Sequence, residues 1–369
     1  MTGLKSKKTR RRQYLYLVLL LGLSFAAFGG MFGFNVLSDP FWHFGGNKIV
    51  PRNFPFNERL SKLTYIQDRA QNYDCLILGS SRVTLLDPQK IEGYTCFNLA
   101  IAAGRAPEAL AFARYVKPMM PDLKLVIVGV AEANFWTDTF KPVIPDFVTE
   151  NGKPPSFWKQ YSTMSTTLFS LRTLFVLKPS KRYYDKNLSC HTTPGLGHFN
   201  PSTDKSIHLL DVDYDPGHAD SWYGPIKALF PDIRTIGYAP PRTAWFTTRM
   251  MINGTLPAYV DGIKRVSDIF GEFYEYSIPG GDNNDPTATH NGSHFYGPTN
   301  AKVADHMNRA INGAAVADQP FGYPVHRHSQ DELMALYKAQ IADFAANHDV
   351  SMIGTDWCAT GQTCPALPQ

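Results

Sequence analysis

Cysteine is scarce in this chain, five residues in 369, and none of it falls into a ligand pattern: there is no CxxC and no His/Cys cluster at metal spacing. That argues against a structural zinc site, and no motif calls for another metal or an organic cofactor. A basic excess is missing too. The formal charge of +4 comes from 36 Lys and Arg against 32 Asp and Glu, but six of the cations (Lys5, Lys7, Lys8, Arg10, Arg11, Arg12) lie in the first dozen residues, leaving 30 against 32. Without a positively charged face, nucleic acid is not expected as a partner. Internal repeats and low-complexity tracts are absent, and 44% hydrophobic content is too high for a disordered chain.

Charge of either sign is absent from residues 14–36, YLYLVLLLGLSFAAFGGMFGFNV. At 1.5 Å per residue, about 20 apolar residues match the roughly 30 Å hydrocarbon core of a bilayer. The stretch predicts a single-pass transmembrane anchor. A cleavable signal is the alternative, with Ala26-Ala27 as a small-residue exit site, but the apolar run continues past it through Met31, Phe32 and Phe34. The positive-inside rule then makes residues 1–13 a cytoplasmic tail and puts everything after about residue 37 outside, the anchor lying in the cell inner membrane. Tyr14 and Tyr16 at one end, and Phe41 and Trp42 beyond the other, suit the interfaces. In an oxidising compartment Cys358 and Cys364, in CATGQTC, could close a small loop; Cys190 has no obvious partner. Cys75 and Cys96 sit in apolar stretches and are expected as buried thiols.

A Pro-rich connector (37–70, with Pro40, Pro51 and Pro55) leads to a main domain expected over 71–315. DCLILG at 74–79, YTCFNLAI at 94–101 and LKLVIVGV at 123–130 are short continuous apolar runs, the pattern of strands buried on both faces. APEALAFARYVKPMM between the second and third has helical spacing, with prolines at both ends. Strand, loop, helix, strand is a βαβ unit, which implies a parallel sheet with helices on both faces. RTIGYAP at 234–240 and FYEYSIP at 273–279 add two strands, and 256–272 and 299–314 two helices. Residues 140–234 read as a long insertion with one amphipathic helix at 157–177. An extension at 316–369 carries a helix at 330–348, whose Leu333, Met334, Leu336, Tyr337, Ile341 and Phe344 should dock it back on the domain.

In an open parallel sheet, ligands bind beyond the carboxyl ends of the strands. Those ends here carry Gly79-Ser80-Ser81-Arg82, then FNLAIAAGRAPE with Gly104, then Gly129 followed by Glu132 and Asn134. Far downstream comes THNGSHFYGP with His294. A serine hydroxyl is a poor nucleophile until an imidazole takes its proton and N–H donors hold the oxyanion, and the chain has a candidate for each task. Arg82 reads either as an anion ligand or as the partner of a carboxylate, with pairing favoured. Phe135 and Trp136 read as core cover rather than as a platform for a sugar ring.

The Gly-x-Ser after the first strand, the glycine after the second, the glycine-led third block and the late histidine, taken in that order, resemble the SGNH (GDSL-type) hydrolases. Membrane-anchored extracytoplasmic members, related to accessory proteins of D-alanyl transfer and O-acetylation, are the nearest in pattern. The resemblance covers residues 70–315 and implies a three-layer α/β/α fold with a flavodoxin-like parallel sheet. It implies Ser81 as nucleophile, His294 as base, and an oxyanion hole from the N–H groups of Ser81 and Gly104, with Asn134 near the family's amide donor. The family's acid stands three residues before the histidine, where this chain has Asn291; His290, Asp282 and Asp285 are possible substitutes. The third block reads Gly129-Val130-Ala131-Glu132, without the family's asparagine. Two functions follow: an esterase or acyltransferase acting on acyl esters of cell-envelope glycans, or a catalytically impaired accessory or binding partner of a membrane acyltransferase.

Overall fold

A computed structural model describes residues 3–138, 140–176, 180–204, 207 and 212–354. The first element, α1 (Gly3–Ser38), is one helix long and apolar enough to cross a membrane, with mean hydropathy 2.1 over its most apolar window, none of which is buried against the protein. Its polar end is tied down. Asn35 donates through Nδ2 to the carbonyl of Tyr161 at 2.8 Å and to Thr167 at 2.9 Å, and Asp39 accepts the N–H groups of Phe44 and Gly46. The connector contains a further helix, α2 (Glu58–Gln67), capped by Asn57, which turns Leu63 and Ile66 into the core.

The strands β1 (Cys75–Leu78), β2 (Cys96–Asn98) and β3 (Leu125–Gly129) form where the continuous apolar runs end in glycine or polar residues, and α3 (Ala106–Val116) crosses between the last two. The helix expected at 157–177 is broken: after α4 (Asp146–Thr149) come α5 (Phe157–Tyr161) and α6 (Met164–Phe175), separated because Thr163 caps a new start by accepting the N–H of Thr166. The rest of the insertion holds a small antiparallel hairpin, β4 (Arg182–Tyr184) with β5 (Cys190–Thr192), and α7 (Gly224–Leu229). Then follow β6 (Arg234–Ala239), α8 (Ala244–Ile252), α9 (Leu256–Phe270), β7 (Phe273–Glu275), α10 (Gly297–Ile311), β8 (Tyr323–Pro324) and α11 (Gln330–Asn347).

The large sheet has six strands in the order β2-β1-β3-β6-β7-β8. Every pair is parallel except β7 with β8, which is antiparallel, so the sheet is mostly rather than wholly parallel. Side chains alternate across it. Leu76, Leu78, Val126 and Val128 join one core with residues of α3, α9 and α11, while Ile77, Leu125, Ile127 and Ile236 join another with Val303, Ala304 and Met307 of α10. Of the apolar residues expected to dock α11, Leu333, Tyr337, Ile341 and Phe344 are buried, and Met334 and Leu336 are half-buried against the same core.

The free thiols expected at Cys75 and Cys96 are absent; the two residues form a disulfide. The β1–β2 register explains it, since Cys75 and Cys96 are direct partners on adjacent strands. Cys190 is a buried free cysteine, whereas Cys358 and Cys364 lie outside the described residues.

Candidate active site

Three glycines shape the rim where β1, β2 and β3 end. Gly79 has φ +150°, and a Cβ there would come 2.6 Å from Val83 Cγ2; a Cβ on Gly129 would come within 2.0 Å of the same methyl. Val83 therefore packs on both strand ends, and the turn Ser80–Arg82 is held over the sheet. A Cβ on Gly104 would meet Ile101 Cγ1 at 2.5 Å and the Gly79 carbonyl at 3.0 Å, so glycine lets the loop after β2 close against the loop after β1. Ala103, beside it, has φ +52°, a left-handed backbone that costs a non-glycine residue about 1 kcal/mol or more.

Across this rim, Ser81 Oγ lies 2.9 Å from His294 Nε2, although the residues are 213 positions apart. The histidine is delivered by a tight turn after β7. Asn291 Oδ1 accepts the N–H of Ser293 at 3.2 Å and of His294 at 3.0 Å, and Gly292 sits between them with φ +74°. The Asn291 amide also faces the imidazole, with Oδ1 at 3.2 Å and Nδ2 at 3.1 Å from Nδ1. Two proton arrangements fit. Nδ1–H can donate to Oδ1, leaving Nε2 to accept from Ser81, or Nδ2–H can donate to Nδ1, which puts the ring proton on Nε2 and disables it as a base.

Burial of the His294 ring, then Arg182, His290, Arg82 and Arg242, holds its pKa well below the ordinary histidine range, so it is neutral near pH 7. His290 stacks on it with ring centroids 5.6 Å apart, and burial with Lys181 and Arg182 nearby pushes the His290 pKa down to about 4.

No family model, no curated protein and no solved structure matches this chain.

The other sequence-derived candidates lie as follows. The Gly104 N–H donates to the Ile101 carbonyl at 3.1 Å. Asn134 is buried and its Oδ1 accepts the N–H of Ala106 at 2.8 Å, so its side chain starts α3. Asp282 is bound to Thr299 and Lys302, and Asp285 caps its own turn through Thr287; neither is paired with His294. Arg82 pairs with the buried carboxylate of Glu132. Phe135 is fully buried, whereas Trp136 lines the cavity with the Arg105 guanidinium 5.1 Å from its ring.

That cavity, about 210 Å³, holds Ser81 and His294 together with Arg82, Gly104, Glu132 and Arg242 on its walls. Arg242 went unremarked in the sequence, although it follows Pro240-Pro241 at the carboxyl end of β6, where the sheet rule already points. It donates to Glu132 Oε1 at 2.6 Å, so one carboxylate bridges two arginines. Burial pushes the Glu132 carboxyl up, but Arg242 and Arg82 outweigh it and hold the group below its usual range. Among the described residues, no group of three or more His, Cys, Asp or Glu could hold a metal ion.

Proposed function

We propose that the chain is a membrane-anchored, SGNH-like serine esterase or acyltransferase acting on acyl esters of cell-envelope glycans. The carrying observation is the 2.9 Å contact between Ser81 Oγ and the Nε2 of a neutral His294. In the proposed reaction Nε2 takes the hydroxyl proton as Oγ bonds to the ester carbonyl carbon. The tetrahedral oxyanion is held by the Ser81 N–H, joined by the Gly104 N–H if that group releases Ile101. Collapse breaks the bond to the leaving alkoxide, which takes the proton back from His294 and leaves acyl-Ser81. Water or a sugar hydroxyl then repeats the cycle on the acyl group.

The strand order, with cores on both faces, supports a flavodoxin-like, three-layer reading of the domain. The basic tail ahead of the apolar helix and the Cys75–Cys96 disulfide support an N-terminus in the cytoplasm and the domain on the oxidising side of an inner membrane.

A second reading is favoured by one specific feature. Asn291 cannot stabilise an imidazolium, and in serine proteases the equivalent Asp-to-Asn change lowers kcat about 10⁴-fold. On that reading the protein is an impaired SGNH-fold accessory or binding partner of a membrane acyltransferase. Full-length protein in detergent, treated with a fluorophosphonate probe and with p-nitrophenyl acetate, separates the two. Labelling and turnover that vanish in Ser81→Ala are expected for the enzyme. A folded wild type that neither labels nor turns over overturns the esterase reading.

A further inference from the structure

The charge count behind Ser81 does not balance. Arg82, Arg182, Arg242 and Lys62 are all buried there, against Glu58, Glu132 and, within reach of Arg82, Glu275, whose pKa burial raises to about 7 so that it supplies only part of a charge at neutral pH. The two arms of this cluster share the nucleophile turn. Arg182 donates to Thr84 Oγ1, whose hydroxyl in turn donates to the Ser81 carbonyl at 2.6 Å, and it pairs with Glu58 at 3.4 Å. Lys62 Nζ is satisfied by the carbonyls of Asn98 and Ala100. Burial lowers the Lys62 pKa to about 8, which leaves it mainly charged at neutral pH. Buried cations without counter-charge are costly unless something compensates them.

The excess reaches the cavity through Arg242. Its Nη1 is spent on Glu132, and its plane stacks over Phe246 at 4.0 Å, which fixes the guanidinium in place. Its Nε–H is buried and meets no acceptor. Arg82, by contrast, gives Nη1 to the Pro240 carbonyl and Nη2 to Glu132. At the cavity rim Arg105 is neutralised by Asp138. Of the arginines that line the cavity shared by Ser81 and His294, Arg242 is therefore the one with a buried guanidinium N–H that meets no acceptor.

We propose that the substrate carries a carboxylate, bound against Arg242 next to the scissile ester. The inference rests on the esterase or acyltransferase reading and narrows it to acyl esters with an acidic group, on either the acyl or the sugar side. It also accounts for a site that lacks an acid behind its histidine: the substrate's own negative charge offsets the cations that oppose an imidazolium on His294.

The test uses full-length Ser81→Ala protein in detergent, which binds without turnover, and calorimetric titration with two matched pairs. Monomethyl succinate against dimethyl succinate places the carboxylate on the acyl side; acetylated methyl glucuronoside against acetylated methyl glucoside places it on the sugar side. The acidic member of one pair is expected to bind about 10-fold or more tightly than its neutral partner, the worth of a hydrogen bond to a charged group. Adding Arg242→Gln should reduce that preference to about 2-fold or less. Where Arg242→Gln does not fold, Arg242→Lys keeps the charge but loses the fork, and should lose part of the preference. Equal binding within both pairs, or a preference that survives Arg242→Gln, overturns the proposal. Fluorophosphonate labelling of the wild type tests the chemistry separately, so an acid preference with unlabelled Ser81 removes the esterase reading and leaves the carboxylate site.

Discussion

Replacing Asn291 with aspartate supplies the charge that the amide cannot. The Asn291 Oδ1 sits 3.2 Å from His294 Nδ1 and already accepts two backbone N–H groups. A carboxylate at that place would accept all three, and three donors favour its ionised form. It would also leave a single proton arrangement, because a carboxylate has no N–H to offer Nδ1. A hydrogen bond to a charged group contributes about 1.5–3 kcal/mol, which lowers the barrier enough for a gain in kcat of roughly 10- to 150-fold. The ceiling is about 10⁴-fold, the loss seen for the reverse change in serine proteases. The pH profile gives an independent readout. In the wild type, burial, Arg182, His290, Arg82 and Arg242 keep His294 neutral far below pH 6.5, so kcat should not decline as pH falls through that value. In Asn291→Asp the new carboxylate favours the imidazolium, raises the pKa of the base and moves the acid limb to higher pH. The assay is kcat for p-nitrophenyl acetate from pH 4 to 8, with Ser81→Ala as blank. A folded Asn291→Asp protein whose Ser81-dependent kcat and acid limb both match the wild type would refute the triad geometry.

Three further outcomes follow from the packing. Glu132→Gln leaves Arg82 and Arg242 buried without their shared counter-charge and should cost about 3–5 kcal/mol in thermal denaturation. Because the folded Glu132 carboxyl is held below its unfolded pKa, its contribution is full above about pH 4.5 and lost as pH falls through the folded value; this acid loss should be missing from Glu132→Gln, and identical acid profiles would contradict the assignment. Gly129→Ala drives a methyl onto Val83 and should cost about 1–3 kcal/mol; combined with Val83→Ala the total should fall short of the sum of the singles, and strict additivity would count against the contact. Opening the Cys75–Cys96 disulfide, by reductant or by the double serine variant, should lower stability by about 3 kcal/mol for a loop of this size, and an unchanged denaturation midpoint would rule that out.

Much of the sheet was legible because β1, β2 and β3 are continuous apolar runs that end at glycine or polar residues, a signal contained within each segment. The elements that escaped notice have no such signal. β8 is two residues long, β4 and β5 three each, and α8 is buried nearly all round, so it shows no apolar stripe. The single helix expected at 157–177 failed on one cap, Thr163, which outweighs a periodicity that runs across it. At the site, Ser81 stood out by its place at the end of β1 and His294 by its place in the order of family-like blocks, and Arg242, though it follows β6, did not stand out, for want of a motif around it.

Local sequence determined the apolar membrane-length helix and the main strands and helices, because each depends on neighbours a few residues away. Tertiary structure alone decided which residues meet. The β1–β2 register turned two expected thiols into a disulfide. Sheet topology brought Ser81 to His294 across 213 positions, and set one glutamate between two arginines from different loops. Such pairings depend on how segments stack in space, and strand pairing and packing are cooperative properties of the whole chain rather than of any stretch within it.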